Sequence, residues 1–294
     1  ISDLSQLALS SEWLQLAFWL MAIGILFKLT LVPMHIWAPD VFEAGPTPVI
    51  AFISVVPKIA VLLFTVSFFM SSHWLTVLPE IRTLLALIAL LSLCVGNVSA
   101  LAQNHAKRMM AYSSIAHAGM LLIGVLIGSE LGYAALVFYA IIYALLNLAA
   151  FYLITLFQSS GFENISDLSG LGRQKPLIGV LALLVMIGLV GLPPTGGFTG
   201  KLLLFTALWD SYSSTNDAAL LWLFVVGLIN AAIALFYYLK IPYFMFLRNA
   251  EEEKALTIDV KDMVILLALV IAILFLFFKA DLLLNLLNGY NFTL

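Results

Sequence analysis

The sequence predicts an all-α membrane protein, a polytopic bundle of transmembrane helices, on three observations. Of its 294 residues, 63% are hydrophobic and only 10% are charged, where a soluble domain carries about 25% charge. The mean hydropathy is +1.11. The apolar residues also gather into eight runs, each of the roughly 20 residues needed to cross a hydrocarbon core. Lipid offers no partner to an open backbone, so runs of this length are read as helices.

In order, the runs are 13 to 33, 48 to 70, 81 to 102, 109 to 128, 133 to 157, 177 to 208, 219 to 247 and 263 to 288. The first carries Lys28 some fifteen residues in, then meets Pro33 and continues as Met34-His35-Ile36-Trp37-Ala38-Pro39-Asp40. The second holds Lys58 about ten residues in. The third contains Cys94, the sole cysteine, which excludes a disulfide framework, an iron–sulfur cluster or a Cys-based zinc site within the chain. The fourth opens on a polar stripe, Tyr112-Ser113-Ser114-Ile115-Ala116-His117, that carries an imidazole into the bilayer. Asn147 and Asn230, in the fifth and seventh, read as bonds between helices. The sixth is about 32 residues long, with Gly191-Leu192-Pro193-Pro194-Thr195-Gly196-Gly197 at its middle and Lys201 beside it. The eighth is read as one unbroken helix.

Proline removes a helix donor and clashes with the preceding turn, so the first and sixth runs are expected to be broken. Broken helices at membrane depth line a cavity or are buried in protein; a kink in a long tilted helix is the plainer alternative. An intramembrane lysine marks function by default, and desolvation brings an amine towards the range where protons exchange at neutral pH. Lys28, Lys58 and Lys201 are therefore the candidates for a proton relay. His117 is the fourth, as a shuttle or as a packed, hydrogen-bonded histidine. Lys240 and Lys279, near helix ends, read as snorkelling side chains. His35 and the pair Asp40 and Glu43 follow the first break, as a polar mouth or a loop anchor. All sixteen acidic residues fall in connections or near helix ends, so a carboxylate partner for the lysines is expected outside this chain. With His35 and His105 in connections and His117 alone in a span, no facing pair is set to ligate haem.

Lys and Arg alternate between connections: Lys107 and Arg108 in the third, Arg173 and Lys175 in the fifth, Arg248, Lys254 and Lys261 in the seventh, and only Arg82 in the even ones. By the positive-inside rule the odd connections face the cytoplasm, matrix or stroma, and the C-terminus faces away. The net charge of -3 comes with no basic stripe for nucleic acid and no acidic tail. The chain opens on Ile1 with no signal peptide, so an N-terminal part is expected to precede it.

The run from Phe27 to Glu43, then Pro46-Thr47-Pro48, Pro57-Lys58-Ile59-Ala60, Gly96-Asn97 through Gln103, Lys107-Arg108, the Tyr112 to His117 stretch and Gly191-Leu192-Pro193-Pro194 through Gly200-Lys201 closely resemble subunit N, the mitochondrial subunit 2 family, of proton-pumping NADH:quinone oxidoreductase, complex I. The resemblance spans nearly the whole chain in the family's order. It implies an antiporter-like fold of two inverted five-helix repeats. Residues 1–294 would form one transmembrane domain, the C-terminal part of a fourteen-helix subunit, with a partial first repeat at 1–70, a complete second at 81–247 and a last helix at 263–288. It further implies that Lys28 belongs to the first broken helix, Lys58 connects the repeats and Lys201 belongs to the second broken helix. The expected partners are other membrane-arm subunits, the antiporter-like and the small ones, together with lipid, protons and water. No cofactor is expected on this chain; NADH, FMN, iron–sulfur clusters and quinone would sit in partner subunits. The membrane would be a bacterial inner membrane, a mitochondrial inner membrane or a thylakoid. The rival readings are a subunit of a multi-subunit Na+/H+ antiporter and an inert scaffold.

Overall fold

In the computed structural model, residues 12–72, 79–249 and 256–288 are described. They form α1 (Glu12–Leu29), α2 (Trp37–Ala44), α3 (Thr47–Ser72), α4 (Pro79–Leu101), α5 (Ala106–Ile127), α6 (Glu130–Ser159), a 3-10 turn (Ile165–Leu168), α7 (Leu171–Gln174), α8 (Pro176–Val190), α9 (Gly196–Thr215), α10 (Ala218–Leu247), α11 (Val260–Phe278) and α12 (Ala280–Asn288). Six of these, α3, α4, α5, α6, α10 and α11, are long and apolar enough to cross a membrane unaided. The eight apolar runs are all present, but three are cut. The first ends at Leu29 and resumes as α2, and the sixth divides into α8 and α9. The eighth, expected to be continuous, stops at Phe278 and restarts after Lys279. There α12 exposes Asp281 and Asn285 together with Leu282 and Leu286 while Leu283, Leu284 and Leu287 pack on the core. That amphipathic pattern suits a short segment at a boundary better than a lipid span.

The bundle is built around α5, which is 94% buried along its apolar stretch, and α6, which is 72% buried. Small residues let α4 and α5 lie close. A Cβ on Gly96 would stand 2.6 Å from the Ala116 amide, and one on Gly119 would stand 2.9 Å from the Ala89 carbonyl. Such close approach is the usual basis of helix association where lipid gives no hydrophobic drive. The apolar faces of α1, α3, α9, α10 and α11 look outwards, with Phe52, Trp222, Phe236 and Ile271 more than half exposed.

The odd connections meet at one end of the bundle. Asn104 accepts from Ile165 through its backbone carbonyl and bonds Ser166 through its amide; Arg173 donates to the Phe246 carbonyl and to Asn249. Arg108 pairs with Asp40 at 2.9 Å and Glu43 at 2.6 Å, and Lys107 donates to the Gly45 carbonyl at 2.9 Å. The Asp40 and Glu43 pair is thus a loop anchor. At the other end Arg82 meets Asp217 at 3.4 Å and the Leu126 carbonyl at 3.5 Å. Lys254 lies outside the described residues.

Candidate functional site

Two of the four candidates, Lys58 and His117, converge on the buried face of α5. Pro57 interrupts the hydrogen-bond ladder of α3 one residue before Lys58, which is 2% exposed. Burying an ammonium costs several kcal/mol unless its donors are met. Here Nζ donates to Thr30 Oγ1 at 2.6 Å, to Ser114 Oγ at 2.6 Å and to the Ser114 carbonyl at 3.0 Å. All three donors of the ammonium are used. Thr30 sits in the first break with φ of 58°, an unusual place for a β-branched residue. The Lys58 bond and a bond from its own hydroxyl to the Leu29 carbonyl at 2.6 Å hold it there.

Ser114 Oγ continues to the Tyr143 hydroxyl at 2.9 Å. One helical turn along α5, His117 is clamped between two tyrosines. Its Nδ1 lies 2.6 Å from the Tyr139 hydroxyl and its Nε2 lies 3.0 Å from the Tyr238 hydroxyl. Tyr238 bonds Ser113 in turn. A neutral imidazole has one donor and one acceptor nitrogen, so one tyrosine gives a hydrogen and the other receives one. The two clusters touch through the Tyr143 ring, whose centroid is 5.0 Å from that of His117.

Lys201 completes the line from the second break. Helix α8 ends in a Schellman arrangement: Leu192 N–H bonds the Ile187 carbonyl, Gly191 N–H bonds the Gly188 carbonyl, and Gly191 takes φ of 86° as such caps require. The last carbonyls of a helix lack partners and carry its negative end. Lys201 Nζ occupies that place, 2.6 Å from the Val190 carbonyl and 3.1 Å from that of Leu189. A cavity of about 20 Å3 joins Lys201 to His117, Asn97 and Asn230, above the roughly 10–15 Å3 that one water occupies. Asn97 bonds Asn230 and receives the Tyr237 hydroxyl, both at 3.0 Å.

Lys28 is not part of this line. It lies in the last turn of α1 and is exposed, on a face that no described helix covers, so the described residues do not bring it together with Lys58, His117 and Lys201. The break residue that reaches the interior is Thr30. Lys240 donates to the Gln103 carbonyl, in the third connection, at 2.6 Å. Lys279 is exposed. Asn230 bonds across helices as expected, whereas Asn147 bonds only the Tyr143 carbonyl of its own helix at 3.0 Å. Thr30, Tyr139, Tyr143 and Tyr238 were not singled out by sequence, and Ser114 only as part of the polar stripe that leads to His117. Their signal was faint: Tyr139 and Tyr143 are four apart and share a helix face, but in a chain with 13% aromatics that spacing reads as packing. Among the described residues no group of three or more His, Cys, Asp or Glu side chains is placed to hold a metal ion.

Two interrupted helices within an all-helical apolar bundle, with buried lysines at or facing the breaks, place the chain among polytopic membrane proteins with discontinuous helices. Within that class, residues 1–229 match the family described as NADH:quinone oxidoreductase/Mrp antiporter, transmembrane, and the chain belongs to it. The chain is 40% identical over 235 residues to NADH-quinone oxidoreductase subunit N 1 of Solibacter usitatus, covering 79% of this chain and 47% of that protein. It is 42% identical over 234 residues to subunit N of Chlorobium chlorochromatii, covering 77% and 45%. Among solved structures it superposes on a chain of respiratory complex I from Thermus thermophilus with bound Aureothin, with a TM-score of 0.73 and 33% identity, covering 89% of this chain and 56% of that one. The Mrp complex of a Dietzia species shares the fold, with a TM-score of 0.78 at 21% identity and coverage of 97% and 60%. The chain spans about half the length of the curated relatives it matches.

Proposed function

We propose that this chain is part of a subunit N of NADH:quinone oxidoreductase and that it carries protons across mid-membrane along Lys58, Ser114, Tyr143, His117 and Lys201. The observation that supports this most directly is the row of buried polar groups from the first break to the second along α5, hydrogen-bonded from Lys58 to Tyr143 and passing from Tyr143 to His117 by ring contact. Each group can give and take a proton or reorient a hydroxyl, and the 20 Å3 cavity has room for the water that would close the gap to Lys201. Lys28, exposed on α1, would act at the entry side, where a further helix or a neighbouring membrane-arm subunit supplies the carboxylate. Moving one charge against 100 mV takes about 2.3 kcal/mol, so the energy would come from NADH and quinone chemistry on FMN and iron–sulfur clusters in partner subunits. The names of the relatives favour this reading over the Na+/H+ antiporter, whose likeness at 21% identity concerns the fold.

The test is Lys58→Met in the full-length protein within its membrane complex. Proton uptake into inverted vesicles is expected to fall about 100-fold, the lower worth of a positioned proton-transfer group, with assembly unchanged on a native gel. Normal uptake in an assembled complex would sink the relay. Copurification with sodium-transport subunits, in place of redox subunits, would point to the antiporter.

A further inference from the structure

We propose that Lys201 also forms the floor of a binding site for a long-chain carboxylate that enters sideways from the bilayer. The Lys201 side chain stands between two cavities of different character. Inside lies the polar cavity shared with His117; outside, an open groove of about 580 Å3 runs between α9 and α10. Lys201 and Ala231 line both, so these two side chains form the partition between them.

The groove dictates its occupant. Phe198, Phe205, Trp209 and Phe224 make walls of hydrocarbon, which suit an aliphatic body. Its volume falls within the roughly 300–1,000 Å3 of sites that enclose a small ligand. Its one charged lining residue is a cation, so the head is an anion. The Leu189 and Val190 carbonyls take two of the three donors of the ammonium, leaving one for a carboxylate oxygen. Gly191 keeps the approach open, since a Cβ there would stand 2.7 Å from Lys201 Cδ.

Depth selects a fatty acid over a phospholipid. From Lys201 to the far end of α9, and along α8 to its start, there is about 20 Å of helix in each direction at 1.5 Å per residue. A phosphodiester head would have to leave the interface to reach the lysine, whereas a carboxylic acid is small and crosses hydrocarbon in its neutral form. Binding there does not rest on the proton relay. Only its consequence does, because a carboxylate paired with Lys201 would hold the lysine charged and stop it passing a proton.

The experiment uses the full-length protein in its native complex and membrane. Palmitic acid bearing a diazirine is added, the sample is irradiated, and adducts are located by peptide mass spectrometry. Adducts are expected in segments 198–209 and 224–231. Excess oleate should compete them away, and they should be about tenfold weaker in Lys201→Met, the loss of one ion pair. Leu202→Trp fills the groove from an exposed position and should remove them. Equal labelling by a diazirine phosphatidylcholine, uncompeted by oleate, would mean that a bilayer acyl chain covers the groove, and would overturn the proposal. So would unchanged labelling in Lys201→Met or Leu202→Trp, and so would no adducts from either probe, which would mean that protein covers it. Should Lys201→Met fail to assemble, the oleate competition and Leu202→Trp still decide.

Discussion

At the scale of single residues, the buried ammonium of Lys58 sets the terms. Hydrogen bonds to a charged group contribute roughly 1.5–3 kcal/mol each, and Lys58 has three, two of them to side-chain hydroxyls on α5 and in the first break. Thr30→Val keeps the shape and removes one acceptor. It is expected to lower the melting temperature of the complex and to slow proton uptake, and Thr30→Ser, which keeps the hydroxyl, should restore both. Equal behaviour of Val and Ser would show that Thr30 matters only as backbone. Tyr139→Phe leaves His117 with one partner and should slow proton uptake about tenfold, the worth of one hydrogen bond of about 1.4 kcal/mol. Lys58, His117 and Lys201 were legible in the sequence because charge is scarce in an apolar chain. The tyrosines and Thr30 were not, since a hydroxyl on an apolar frame has no sequence signature of depth. Nor was the exposure of Lys28, which depends on how α1 is rotated about its axis.

At the scale of elements, the two breaks were legible from Gly and Pro clusters alone, and the second shows why those residues are there. A Cβ on Gly197 would overlap the Gly188 carbonyl oxygen, so the start of α9 can lie against the end of α8 only without one. Gly197→Ala should push α9 off α8, move Lys201 from the Leu189 and Val190 carbonyls, and reduce assembly. Gly24→Ala is the matched control, because nothing lies within 4 Å of its Cβ, and it should assemble normally on a native gel. Equal assembly of the two variants would refute the packing argument. The division of the eighth run at Lys279 was hidden, because leucines continue on both sides of it and only the placement of Asp281 and Asn285 distinguishes α12. Hydropathy located every span, yet it said nothing of which face of each helix turns inwards.

At the scale of the molecule, charge divides the bundle into two ends, and that division carries a pH dependence and an orientation. Arg108, hydrogen-bonded to Glu43, holds its carboxyl below the ordinary range. The anchor's contribution is therefore full above the usual glutamate value of about 4.3 and is lost as pH falls through the lower folded value. Melting temperature should fall as pH drops through and below that range, and Arg108→Gln should flatten this part of the profile. A flat wild-type profile would show that the anchor contributes nothing. Orientation follows from the basic end, where Lys107, Arg108, Arg173, Lys175 and Arg248 gather around the bonds that tie the odd connections. Lys and Arg are enriched in cytoplasmic connections, so this end should face the cytoplasm or its organellar equivalent. In a Cys94→Ala background, Gln174→Cys at the basic end and Ser213→Cys at the other, both exposed, give the two reporters. A membrane-impermeant maleimide should label Gln174→Cys in inverted vesicles and Ser213→Cys in right-side-out ones. The reverse pattern would turn the bundle over, and with it the direction in which Lys201 would release a proton.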